Sequence, residues 1–211
     1  MIGFDFVFAL FSLVLGLAVA EVLGGLAKAL KLHAAARAGK ARDVRIGWLT
    51  PLLAILVTLN QLSFWMFAFN VRETLPFSFL TLLAVLVVVG LYYLFSALVF
   101  PDDPAEWPDF DDWYDLHNRL ILGGMTAINF AIQMTLPNFM SAARAAQLEQ
   151  LEASDDWRLT LTVVFAVLYL LIMPVLIWVR GRRANRVLLI VLIALNLAAP
   201  IAFTAAGYLP V

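Results

Sequence analysis

The chain of 211 residues contains no cysteine, so it has no disulfide framework, no thiolate metal site and no cysteine nucleophile. Charge is also scarce. Asp, Glu, Lys and Arg make up 14% of the residues, where a soluble domain carries about a quarter. A chain so poor in charge cannot cover itself with polar surface, and its 64% hydrophobic content makes the bilayer part of its solvent. The net charge of −1 argues against a nucleic-acid partner, because phosphate binding needs a basic surface. The only histidines, His33 and His117, have no metal-ligand partner one helical turn on. HExxH, GxSxG, Walker and GxGxxG patterns are missing as well. No catalytic residue, resident metal or cofactor is therefore assigned.

Long apolar runs are what the sequence has in abundance. A membrane-spanning helix needs about 20 mainly apolar residues at about 1.5 Å rise each. Six stretches qualify: Phe4–Ala27, Ile46–Phe69, Phe77–Phe100, Trp113–Leu136, Leu159–Trp178 and Val187–Tyr208. These runs are too long for the alternating strands of a closed barrel. They predict an all-α integral membrane protein, a single bundle of six transmembrane helices over residues 1–211. Ala18-Val19-Ala20 resembles a signal-peptidase site, but the leading residues include Asp5 in place of a basic region. The first run thus reads as an uncleaved helix.

Orientation follows from lysine and arginine near the ends of the spans. The first, third and fifth connections hold eleven of these residues, namely Lys28, Lys31, Arg37, Lys40, Arg42, Arg45, Arg119, Arg180, Arg182, Arg183 and Arg186. The second and fourth hold three, Arg72, Arg144 and Arg158. The bias predicts cytoplasmic odd connections and both termini on the external, periplasmic side. Trp48, Trp113, Trp157 and Trp178 fall at span ends, where amphipathic rings prefer the headgroup zone. Lys31–Arg45 is predicted to start as a helix. Ser141–Glu152 reads as a short external helix lying on the bilayer, and Ser154 or Asp155 as a cap for the fifth span.

Seven acids crowd Pro101–Leu120, "PDDPAEWPDFDDWYDLHNRL", with Asp111, Asp112 and Asp115 in the spacing DDxxD. On a helix that spacing can hold Mg²⁺ against a diphosphate through hard oxygen ligands. Two such motifs must face each other across a cavity, however, and "DDPAE" (Asp102, Asp103, Glu106) lies only a few residues away across prolines. The competing reading is electrostatic. The acids complement the positive end of the fourth helix and draw together the basic connections one and five. That reading explains more of the pattern, and a metal site at Asp111, Asp112 and Asp115 is the alternative.

Polar side chains inside spans are expensive and therefore informative. Glu21 flanks a stripe of Ser12, Gly16, Ala20 and Gly24, spaced for close helix packing. Arg119, Thr126, Asn129 and Gln133 form one polar stripe on the fourth helix. Thr50, Thr58 and Gln61 share a face of the second, with Asn60 beside them, and Asn196 precedes Pro200 by one turn on the sixth. Glu21, Asn60, Gln61, Arg119, Asn129, Gln133 and Asn196 could line a polar pathway, or could bond the helices to one another. Glu21 and Arg119, at similar depth, are expected to meet in the interior.

"FALFSLVLGLAVAEVLGGLAKAL", "YYLFSALVFPDD" and "DFDDWYDLHNR" together resemble an uncharacterised family of small six-helix bacterial inner-membrane proteins. The resemblance covers the first four helices. It implies a multi-pass protein of the inner membrane and brings no activity or site residues with it. Three functions stay in play. The leading one is a non-enzymatic membrane bundle or accessory subunit, with the lipid bilayer, a membrane protein or a second copy as partner. The others are a small proton- or ion-coupled transporter or channel and an enzyme acting on diphosphate lipids.

Overall fold

The computed structural model describes residues 2–40, 44–71, 78–139 and 157–205. The expected surface helix Ser141–Glu152 and the Ser154/Asp155 cap lie outside them. The described chain is all-helical: α1 (Ile2–Arg37), α2 (Leu49–Val71), α3 (Phe79–Ala97), α4 (Phe110–Phe139), α5 (Trp157–Trp178) and α6 (Arg182–Ala205). A short 3₁₀ turn, Pro104–Glu106, precedes α4. Helices are the solution expected of apolar runs this long, because each satisfies its own backbone polar groups without water.

Local chemistry sets the ends. Ser78 caps α3, its hydroxyl accepting from Thr81 N at 3.2 Å. Asp103 caps the 3₁₀ turn through Ala105 N at 2.9 Å. The first helix runs past its apolar stretch through Lys28 and Lys31 to Arg37, and Gly39, with a φ of 69°, follows its end. There glycine occupies a backbone conformation that side chains disfavour.

Helix α2 is the hub, packed against α1, α3, α4 and α6. Helices α5 and α6 form a tight hairpin, α1 lies mainly along α3, and α4 rests on α5. The core fills with Leu53, Leu56 and Val57 of α2, Ile121, Leu122 and Met125 of α4, Met173 and Leu176 of α5, and Leu189 and Leu192 of α6, all fully buried. Outward faces carry Leu17, Leu86, Val164, Leu171 and Ile190 in the open. A surface this apolar suits lipid, since soluble monomers rarely expose such continuous patches. Three helical stretches, Phe11–Arg37, Leu49–Phe69 and Phe79–Ala97, are long and apolar enough to cross a membrane.

The packing overturns two expectations about α1. Gly16, Ala20 and Gly24 face outward, and a Cβ added at Gly16 or Gly24 would meet nothing within 4 Å. Ser12 at the head of the stripe accepts from Trp65 Nε1 of α2 at 3.0 Å, but Gly16 and Gly24 seat no helix among the described residues. The close approach is made one residue later, where a Cβ on Gly25 would stand 2.7 Å from the Phe100 ring. The expected Glu21–Arg119 pair is likewise not formed. Glu21 is half-buried, Arg119 is exposed, and α1 packs mainly on α3 and α2, whereas α4 packs mainly on α5 and α2. Position along a helix says nothing about which helices become neighbours.

Candidate functional site

The acidic segment folds back onto the start of α2. Arg45 and the Pro108–Phe110 backbone form a single parallel bridge, with Arg45 N donating to Pro108 O at 2.9 Å and Phe110 N to Arg45 O at 3.0 Å. This places Asp111, at 2% exposure, under the first turn of α2, where its Oδ1 accepts from Leu49 N at 3.1 Å. Asp111 thus caps α2 from a different element, satisfying an amide that has no partner within its own helix and setting negative charge at the positive helix end. Thr50 closes the joint, its hydroxyl donating to Phe110 O at 2.8 Å. Gly47, with a φ of 66°, leaves the space that the Asp111 carboxylate fills.

Asp109, Asp112 and Asp115 meet arginines from the two basic connections. Arg182 reaches Asp112 and Asp115 together, its Nε standing 2.8 Å from Asp115 Oδ2. It also lies 3.8 Å from Asp109, which Arg45 approaches at 3.5 Å. Hydrogen bonds to Asp112 and then Asp115 push the Arg182 pKa above its ordinary value, so the guanidinium is charged at every working pH. The network joins connections one and five to the start of α4. Among the described residues no three carboxylates or imidazoles converge as metal ligands.

A second polar cluster lies deeper. Asn60, 2% exposed on α2, donates from Nδ2 to the Tyr169 hydroxyl at 2.8 Å and accepts on Oδ1 from the Tyr92 hydroxyl at 2.6 Å. One amide therefore ties α2 to α3 and α5. Gln61, fully buried, donates to Ser96 Oγ on α3. Ser63 reaches Asn196 of α6 at 3.1 Å, and Asn129 of α4 turns its amide toward Met173 Sδ of α5 at 3.5 Å. Thr58 and Thr126 bond carbonyls one turn back in their own helices.

The predicted polar residues differ widely in burial. Asn60 and Gln61 are buried in the core, Glu21, Asn129 and Asn196 are half-buried, and Arg119 and Gln133 are exposed. Sequence reasoning passed over Tyr92 and Tyr169, the partners of Asn60. The signal was there: both stand in mid-run and not at a span end, where tyrosines prefer to lie, and a buried hydroxyl needs a partner. Gly47 was missed too, and its sign was a glycine two residues ahead of a helix start. No family model, curated protein or solved structure matches this chain.

Proposed function

We propose that the chain is a six-span protein of the bacterial inner membrane, with both termini external, acting as a non-enzymatic bundle or accessory subunit. The excess of basic residues in the odd connections supports the orientation. The observation that carries the functional reading is how its polar groups are used. Asn60 engages its amide at both ends with tyrosines of two other helices. Asp111 caps α2, and Asp109, Asp112 and Asp115 hold Arg45 and Arg182. Of the groups that could face a pathway or a diphosphate, Asn60, Gln61, Asn129, Asn196 and these aspartates are engaged in joining helices, where each interhelical hydrogen bond contributes about 0.6–2 kcal/mol.

The test is reconstitution of the purified chain into proteoliposomes with a pH- or ion-sensitive dye inside. The reading expects proton, sodium and potassium flux no greater than in protein-free vesicles. Flux that rises with protein and falls in Glu21→Gln or Asn60→Leu would replace it with transport. Reporter fusions supply the topology: one after Val211 should read external and one near Gly39 cytoplasmic.

A further inference from the structure

Arg119 is a charge left over. It lies on α4, whose inward side is closed by Tyr114, Asn118, Ile121, Leu122 and Met125, all buried. Arg119 faces the other way, exposed between Leu116 at 66% and Leu120 at 58% exposure. The acids it could reach along its own helix are Asp115 and Asp112, one and two turns back, and both are taken by Arg182. No other ion pair to Arg119 exists among the described residues. Trp113, six residues earlier, anchors the entry of the helix. Its indole donates to Leu98 O at 3.0 Å and its ring packs edge-on against Trp107.

We propose that Arg119 binds the phosphate of an anionic phospholipid in the leaflet at the acidic-segment end of the bundle. The inference rests on the reading of α4 as a membrane span. Six residues of helix put Arg119 about 9 Å inward of Trp113, level with lipid that touches Leu116 and Leu120. A bare guanidinium at that depth is costly, and an arginine lowers the cost by bending its apolar stem toward the headgroups. A lipid phosphate there offers two oxygens to the planar fork of the guanidinium, while the acyl chains lie on the flanking leucines. An anionic headgroup is favoured over a zwitterionic one because no acid among the described residues pairs with Arg119.

Two measurements on the full chain separate the binding claim from the span on which it rests. The chain has no cysteine, so a nitroxide on Leu120→Cys is a single label. In nanodiscs its relaxation should respond to lipid-soluble oxygen and not to a water-soluble nickel chelate; the opposite response removes the span and the proposal together. With the span in place, native mass spectrometry counts phosphatidylglycerol retained over phosphatidylcholine from mixed nanodiscs. Arg119→Gln should lower the preference about fivefold, the equivalent of about 1 kcal/mol per arginine at an anionic surface, and Arg119→Lys should keep most of it. Unchanged retention in Arg119→Gln overturns the proposal. So does a shift in that variant from dimer to monomer, which would give the guanidinium a carboxylate of a second copy as its partner.

Discussion

Replacing Gly47 by alanine probes the joint between the acidic segment and α2 at its tightest point. Two separate costs meet there. The φ of 66° places a side chain in the left-handed region, at about 1–2 kcal/mol for a residue other than glycine. The new Cβ would also stand inside the van der Waals envelope of the Asp111 carboxylate. The carboxylate must then leave Leu49 N, with the loss of a cap of about 1–2 kcal/mol. Gly47→Ala should therefore destabilise the protein by about 3 kcal/mol, and Asp111→Ala by about 1–2 kcal/mol. In the double variant the clash is gone and the cap is already lost, so its total should stay near that of Gly47→Ala alone, leaving a coupling of about 1–2 kcal/mol. Unfolding in mixed micelles with rising dodecyl sulfate, followed by tryptophan fluorescence, gives all three free energies. Strictly additive losses would refute the claim that Gly47 exists to admit the Asp111 carboxylate.

Asn60→Leu strands the hydroxyls of Tyr92 and Tyr169 in the core, and the same unfolding assay should read a loss of about 1–3 kcal/mol. If that variant is as stable as the parent, the amide does not tie the three helices. Arg182→Gln should cost about 1 kcal/mol or less, because its bridges are partly exposed, and the cost should shrink as salt is raised; a loss that ignores ionic strength would contradict the bridge. Glycine substitutions should divide sharply. Alanine at Gly25 or Gly124 meets the rings of Phe100 and Phe95, whereas at Gly16 or Gly24 it meets nothing, so only the first two should lower stability in that assay.

The helical class was readable because run length and charge scarcity are properties of the chain alone. So was the electrostatic use of the acids, at the level of which connections carry opposite charge. Which aspartate does what was not readable. Asp111 looked like its neighbours, yet it alone turns under α2, because the Arg45–Pro108 bridge fixes where the segment lies. The mid-bundle polar residues could be named from the sequence, but their partners could not. Asn60 meets Tyr169 across 109 positions, a pairing set by which helices become neighbours. The same gap produced the Glu21–Arg119 expectation, which reasoned from distance along each helix and not from which helices become neighbours.

On the function proposed above, the acidic segment holds the bundle together and does not serve as a metal–diphosphate site. Calorimetric titration of the purified protein with Mg²⁺ and inorganic pyrophosphate tests it directly, with the Asp111→Asn/Asp112→Asn/Asp115→Asn variant alongside. No saturable heat is expected from the parent protein, and the variant should differ only in being easier to unfold. Saturable binding to the parent that disappears in the triple variant would contradict it.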